Sequence, residues 1–296
     1  MSAGYSRKEF LIQAGNFRLS LGRQTKIMGV LNLTPDSFSQ DGILVKSRKD
    51  LNRVLVIAEK LVRDGADILD VGGESTRPGS RRISVKEEIK RVIPTVRVLA
   101  SKIRVPISVD TYKSAVARHA LDTGANLINN IKGTQLNSPL LKMVSRYNAA
   151  LVVMHIRGTP QTMQAQAHYK NFLREVLLEL RHTVEKCLDA GIKRDKIIID
   201  PGIGFGKTLE HNLELIQHLN NFQVLNCPIL VGPSRKSFIG RVLNKDVSQR
   251  LIGTIAAVCA SILNGAHIVR VHDVKKVKEA VRMTDAILNP HAWQVI

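Results

Sequence analysis

The sequence predicts an α/β fold: a closed barrel of eight parallel strands alternating with helices, a (β/α)8 TIM barrel, with an N-terminal β-hairpin closing the barrel floor. Three observations carry this. Short β-branched apolar runs recur eight times with helix-periodic stretches between them. A phrase of glycine, alanine, a polar residue and an aliphatic one returns at three helix-to-strand junctions. The length of 296 residues suits one such barrel, which typically takes ~250 residues, plus an extension.

Residues 1–26 hold two short apolar segments, Phe10-Leu11-Ile12 and Phe17-Arg18-Leu19, expected to form the hairpin. The barrel runs follow: Ile27 to Leu31, Ile68 to Val71, Ile107 to Val109, Leu127-Ile128, Leu151 to Met154, Ile197 to Ile199, Ile229 to Val231 and Ile268 to Val271. Between them, spacings such as Leu51, Val54, Leu55, Ala58, Leu61 and Val62 predict helices with one apolar face. Ser84-Val85-Lys86-Glu87 predicts a capping box, Ser138-Pro139 an N-cap followed by proline at the first helical position, and Asp273 a cap for the last helix. The recurring phrase is Gly65-Ala66-Asp67-Ile68, Gly124-Ala125-Asn126-Leu127 and Gly265-Ala266-His267-Ile268. Glycine just past a helix end admits the left-handed backbone that turns the chain back. No linker or low-complexity tract divides the chain, so residues 1–296 are expected as one domain.

Composition narrows the function classes. Apolar residues make up 44% and aromatics 4%, so aliphatic packing dominates the core. The net charge of +19 is spread along helices, as in Lys46-Ser47-Arg48-Lys49 and Lys275-Lys276-Val277-Lys278, without interleaved aromatics to stack bases. A nucleic-acid partner is therefore not expected. Cys187, Cys227 and Cys259 are far apart and form no CxxC pair, which predicts free thiols in a reducing compartment. The longest apolar stretch, Thr254 to Leu263, is about half of a bilayer span, and residues 1–10 lack a signal-peptide run, so a cytoplasmic protein without a membrane partner is expected.

Catalytic groups of such barrels gather at the C-terminal ends of the strands. Reading there yields Asn32, then Glu74 to Arg77, Asp110, Asn129, His155, Asp200, Ser234 to Ser237, and Arg270 with His272. Each alone is an ordinary turn or cap residue; eight strands delivering polar groups to one rim predict a single active site. His155 divides evenly between site wall and packed core. The glycine-rich string Pro201 to Thr208 fails both phosphate-binding patterns, because Pro201 and Lys207 stand where glycine is required. A nucleotide-hydrolase reading is excluded on that basis.

Longer strings carry a family resemblance. Met28-Gly29-Val30-Leu31-Asn32-Leu33-Thr34-Pro35-Asp36-Ser37-Phe38-Ser39 and Asp70-Val71-Gly72-Gly73-Glu74-Ser75-Thr76-Arg77-Pro78-Gly79 resemble the two opening motifs of the dihydropteroate synthases. Ile107 to Thr111, Asp200 to Lys207, Ser234 to Ser237 and Arg270 to Asp273 follow in the family's order. The resemblance implies a Mg2+-dependent transferase of folate biosynthesis and a target of sulfonamides, which mimic 4-aminobenzoate. It would join a dihydropterin diphosphate to 4-aminobenzoate, giving dihydropteroate and diphosphate.

The resemblance also assigns roles. Asp200, Asp110, Asn129 and Lys236 would bind the pterin, with Ile131, Met154 and Gly232 completing its pocket. Thr76, Arg77, Pro78, Phe205, Arg235 and Ser237 would receive aminobenzoate. Ser75, Thr76, Arg77, Arg270 and His272 would hold diphosphate, and Asn32 would reach Mg2+. Lys236, Asp200, Arg270 and His272 are the residues expected to carry catalysis, by dissociative loss of diphosphate without a side-chain nucleophile. The loops Thr34 to Lys46 and Glu74 to Ile83 would close over the site. Two positions depart from the family pattern: Asn129-Asn130 replaces Asn-Asp, and Ser39-Gln40-Asp41-Gly42 shifts an aspartate by one place. The resemblance also implies a homodimer, for which the broad apolar face of Leu251 to Leu263 is a candidate surface; that face could equally be buried within its own barrel.

Three other readings compete. A pterin-binding methyltransferase barrel would share the Asp and Asn ligands but has no use for Ser234 to Ser237 or for Arg270 and His272. A catalytically silent homologue is expected to lose Lys236, Asp200 or Arg270. A nucleic-acid module would bind DNA or RNA with steep salt dependence.

Overall fold

The computed structural model describes residues 7–34, 47–75 and 80–292. Strands β1 (Phe10–Ala14) and β2 (Phe17–Leu21) form the antiparallel hairpin. The barrel strands are β3 (Lys26–Asn32), β4 (Ile68–Gly72), β5 (Ile107–Asp110), β6 (Leu127–Asn130), β7 (Ala150–Met154), β8 (Ile197–Asp200), β9 (Leu230–Val231) and β10 (Ile268–Val271). All pair in parallel in the order β8-β7-β6-β5-β4-β3-β10-β9, and a parallel bridge between Ile199 and Ile229 joins the two ends. Around them lie α1 (Arg48–Arg63), α2 (Val85–Lys102), α3 (Ser114–Thr123), α4 (Ser138–Arg146), α5 (Phe172–Asp189), α6 (Leu209–Gln217), α7 (Ser237–Leu243), α8 (Leu251–Leu263) and α9 (Val274–Leu288). This is the (β/α)8 architecture expected, with the short α7 as an addition between β9 and α8.

The pleat sorts each strand into two sets, because successive side chains point to opposite faces. Leu69, Val71, Val109, Ile128, Leu151, Val153, Ile197, Ile199, Val231, Val269 and Val271 join the core shared with the helices. The alternate residues Met28, Ile68, Leu127, Val152, Ile198, Leu230 and Ile268 pack in the barrel interior against Ile12, Ala14, Leu19 and Leu21 of the hairpin. The hairpin is therefore the floor, and the interior below the site is largely apolar.

The recurring glycine phrase is a junction built from two parts. Gly65, Gly124 and Gly265 take φ values of 107°, 115° and 103°, which turn the chain out of each helix. The third residue of the phrase then grips a neighbouring strand at both ends. Its backbone N–H donates to the carbonyl of Ile27, Ile107 or Ile229. Its side chain, from Asp67, Asn126 or His267, accepts the N–H of that same isoleucine at 2.9, 2.9 and 3.1 Å. Aspartate, asparagine and a neutral histidine all supply the one acceptor required, which explains why the position varies while glycine does not.

Three expected caps are corrected. Ser84 accepts from Glu87 N, but the Glu87 carboxylate turns to Arg91 instead of closing the box. Asn137, not Ser138, is the N-cap of α4, so Pro139 falls one place deeper in its first turn. Asp273 stands at the N-cap of α9 without a side-chain cap bond, since both its oxygens accept from Arg235. Among the described residues, no helix is long and apolar enough to cross a membrane.

The junction has a measurable cost. His267 is fully buried, and its two ring nitrogens serve Ile229 N and the Lys8 carbonyl. Replacing His267 by Leu strands both groups and is expected to lower unfolding stability by about 1–3 kcal/mol. A urea titration checks this, with turnover of the folded fraction unchanged.

Candidate active site

The inward register that fills the floor also builds the site. One pleat repeat above Ile68, Leu127, Val152, Ile198, Leu230 and Ile268 stand Asp70, Asn129, Met154, Asp200, Gly232 and Arg270. Asp110 takes the matching place on β5 above the buried Ser108, and Asn32 ends β3. The polar groups expected just after the strands are thus mostly the last inward residues of the strands themselves, which fixes their backbones in the parallel ladder.

Arg270 organises the polar layer. Its Nε donates to Asp70 Oδ2 at 2.7 Å and its Nη2 to Asp110 Oδ2 at 3.0 Å. Asn129 Nδ2 donates to the same Asp70 oxygen at 3.0 Å, while Asp70 Oδ1 has no partner among the described residues. Burial pushes the Asp110 carboxyl up, against the pull of Arg270. Asp200 accepts the Gly202 N–H at 2.8 Å. Its carboxyl is raised to about 6, chiefly by burial, with the Gly202 bond and then Lys207, Lys236 and Arg270 opposing the shift. Asp70 was not singled out from the sequence as a site residue. The only signal for it was its place at the head of the second motif, because its partners lie 59 and 200 residues away.

An apolar wall adjoins this layer. Ile131, Met154 and Phe205 share one cluster with Ile156 and Met163, and Tyr112 packs against it. The Lys236 ammonium lies 3.8 Å from the centre of the Phe205 ring. The loop carrying Phe205 requires its glycines. At Gly202 (φ 77°) a Cβ would stand 2.0 Å from the His155 carbonyl, and at Gly204 (φ 80°) 2.8 Å from the Lys236 stem. The arrangement sets buried carboxylate acceptors near an apolar cluster with a cation over its Phe205 ring, groups suited to a planar heterocycle rich in N–H donors.

Comparison with known proteins agrees with that chemistry. Residues 28–272 match the family model described as "Pterin binding enzyme". The dihydropteroate synthase of Clostridium beijerinckii is 42% identical over 278 residues, covering 94% of this chain and 99% of that one. The Yersinia pestis dihydropteroate synthase solved with a sulfonamide drug superimposes with a TM-score of 0.88 at 38% identity, over 94% of this chain and 99% of that one. The Clostridium difficile enzyme, crystallised in the presence of pteroic acid, gives 0.83 at 41% identity, over 90% and 98%. The chain belongs to the dihydropteroate synthase family. It is accordingly a transferase of folate biosynthesis.

The remaining family positions divide by location. Thr76, Arg77 and Pro78, together with residues 35–46 and their Gln40 and Asp41, lie outside the described residues. Ser75 stands at the base of the second loop, its carbonyl accepting from Ser80 Oγ at 2.6 Å. Lys113 ties that base together, pairing with Glu74 and donating to Glu88 at 2.6 Å and to the Ile83 carbonyl at 2.8 Å. His272 Nδ1 lies 3.0 Å from Ser234 Oγ. Arg235, in the left-handed conformation at φ 57°, donates to both oxygens of Asp273 at 3.0 and 2.8 Å. Ser237 is exposed at the first position of α7. Asn130, the departure from the family's aspartate, is buried and accepts the Lys132 N–H at 2.7 Å, a bond an amide oxygen makes as well as a carboxylate. His155 is fully buried and lines no open wall: it packs 3.1 Å from Lys207 Nζ.

Asp70 provides the test of this layer. Asp70→Asn weakens the grip on Arg270 and Asn129 and is expected to reduce kcat/KM by about tenfold or more, the size of one hydrogen bond to a charged group. Steady-state kinetics beside a thermal melt separate this from simple loss of fold.

Proposed function

We propose that the chain condenses (7,8-dihydropterin-6-yl)methyl diphosphate with 4-aminobenzoate to give 7,8-dihydropteroate and diphosphate. The observation carrying this reading is the inward layer of Asp110, Asn129 and Asp200 beside Lys236 and Arg270, in a chain of this family. Support also comes from the relatives solved with pteroic acid and sulfonamide. A catalytically silent homologue or a methyltransferase barrel gains no comparable support, since Lys236, Asp200 and Arg270 are all present and adjoin one another electrostatically.

In this reading Asp200 accepts paired N–H donors from the pterin, while Asn129 and Asp110, held by Asp70 and Arg270, meet its other polar edge. Ile131 and Met154 contact the ring faces, and Gly232, beside Arg270, leaves room for the ring edge. Lys236 and Phe205 bound the aminobenzoate slot, whose carboxylate end faces Ser237. The bond from the methylene carbon to the diphosphate oxygen breaks with its electron pair leaving on diphosphate. The methylene cation is stabilised by conjugation with the electron-rich pterin, and the aromatic amine nitrogen then bonds to carbon and sheds its proton to solvent or to the departing diphosphate. His272 and Arg270 supply donors to the leaving group.

Mg2+ belongs to this reading. Among the described residues, no group of three or more His, Cys, Asp or Glu side chains is placed to hold a metal. The donor set fits a hard cation that keeps water and diphosphate oxygens and takes few protein ligands, with the Asn32 amide at the β3 end as the protein's contribution. When bound, the ion would neutralise charge developing on diphosphate.

We also assign a homodimer to the α8 face. That helix contains no charged residue and leaves Ile252 75% exposed, with Met283 and Ile287 of the neighbouring α9 exposed as well. Ile252→Lys is expected to shift sedimentation from dimer to monomer; a wild-type monomer at micromolar concentration would sink the assignment.

The decisive experiment incubates the purified protein with Mg2+, the dihydropterin diphosphate and labelled aminobenzoate. Dihydropteroate formation that stops with EDTA and returns with Mg2+ is expected; pterin binding without product would refute the synthase reading. The acid limb has a defined sign. Asp200 must be ionised to accept donors, so its share of pterin affinity is full above its pKa of about 6 and falls about tenfold per pH unit below it, while Asp110, raised by burial to about 7, titrates just above that limb. Calorimetry across that range checks it.

A further inference from the structure

The glycine-rich string from Pro201 to Thr208 matches no phosphate-binding pattern, and the structure shows where its lysine goes. Lys207 turns into the fold, where it is 3% exposed. Its Nζ donates to the Phe205 carbonyl at 3.0 Å and lies 3.1 Å from His155 Nδ1. Burial lowers the His155 pKa to about 4, so the imidazole is neutral; with Nδ1 accepting from Lys207, its proton sits on Nε2. That nitrogen lies 3.1 Å from a Glu179 oxygen, an electrostatic contact poorly aligned for a hydrogen bond.

We propose that Lys207 is a positioning residue of this active site: tied to the Phe205 carbonyl and His155 behind the Asp200 loop, its buried ammonium seats Phe205 and keeps Asp200 ionised. The inference rests on the synthase reading of the site.

Two features argue for the charge and not merely the donor. A buried ammonium is costly, and a neutral amide would satisfy the Phe205 carbonyl equally well. Among the described residues, no carboxylate stands within ion-pair distance of Lys207, so its field acts on the groups around it: Asp200 and Glu179, with Arg157 and Lys236 opposing. Among the described residues, Asp200 accepts the Gly202 N–H, and Lys207, Lys236 and Arg270 act on it as cations. Arg270 is already engaged by Asp70 and Asp110, and the Lys236 ammonium lies over the Phe205 ring. The chain from Asp200 wraps its own lysine, since a Cβ at Gly202 would come 3.3 Å from Lys207 Nζ. The far side of the loop is pinned independently. Tyr169 donates to the Gly206 carbonyl at 2.9 Å, with the Arg157 guanidinium 4.1 Å from its ring centre and Arg157 held by Glu175 and Glu179. Burial holds Lys207 itself down at about 7, so its charge is poised against that of Asp200.

Lys207→Met and Lys207→Gln separate the two duties. Both remove the charge, and both are expected to fold, because a buried ion replaced by a neutral side chain of similar volume is commonly tolerated. Dihydropterin binding is followed by calorimetry across the acid-to-alkaline range, independently of turnover. In both variants the acid limb is expected to move up by about one pH unit or more, the usual effect of losing a nearby opposite charge. Asp110, raised by burial to about 7 with Arg270, Asp70, Glu88 and Lys236 as its charged neighbours, titrates in the same range, so the limb is read as the difference between each variant and the wild type. Only Lys207→Met, which lacks a donor for the Phe205 carbonyl, is expected to raise the aminobenzoate KM, by about tenfold. An acid limb that stays at its wild-type position in a folded variant overturns the proposal. So does a parallel loss of affinity for both substrates with a lowered melting temperature and no limb shift. A wild-type protein that binds pterin but forms no dihydropteroate refutes the synthase reading instead, and the limb comparison still decides the role of Lys207.

Discussion

Three carboxylates, Asp70, Asp110 and Asp200, stand on the inner face of their strands with almost no contact with water. Removing a carboxylate from water costs several kcal/mol even after relaxation, so each must find compensation inside the barrel. Much of the site's architecture answers that demand. Arg270 bridges two of them, Asn129 adds a donor, and Gly202 with the cation field around Asp200 serves the third. The compensation is incomplete: Asp110 and Asp200 are raised towards neutrality, and one Asp70 oxygen has no partner among the described residues. A ligand bearing N–H donors would complete what the protein leaves undone, which gives selectivity a physical origin, because an analogue without those donors would leave buried acceptors stranded.

The same pleat produces both the stability and the chemistry. On most inward faces the lower residue is apolar and packs on the hairpin (Ser108 of β5 is the polar exception), while the next inward residue faces the site. The three glycine junctions hold the starts of strands β3, β5 and β9 in place by paired bonds to Ile27, Ile107 and Ile229. Rigidity at the floor is therefore transmitted along short strands to groups that must be held to fractions of an ångström.

Much of this was legible in the sequence because its signals are local. Apolar runs located the strands, the glycine phrase located the junctions, and long motifs located the family. What escaped depends on contacts between distant segments. Asp273 reads as a cap until Arg235 is seen to take both its oxygens. Asp70 reads as one position within an apolar strand until the register shows it facing Arg270 across 200 residues. His155 divides evenly between wall and core until Lys207, far along the chain, is found beside it. Periodicity reports which face a residue occupies, and it is silent about what waits on the other side.

The distribution of charge across the barrel supplies the last step. The deepest polar layer contains acceptors that can read the neutral, donor-rich edge of a heterocycle. One pleat further out stand His272, with Ser234 beside it, and the exposed start of α7 at Ser237, groups that favour anions. In the proposed reaction both anionic ends, diphosphate and the aminobenzoate carboxylate, belong outside and the pterin inside. A substrate entering head-first with its diphosphate would bring negative charge against Asp70, Asp110 and Asp200 in a poorly screened interior, where like charges repel strongly. Orientation is thus selected by repulsion at the floor as much as by attraction at the rim.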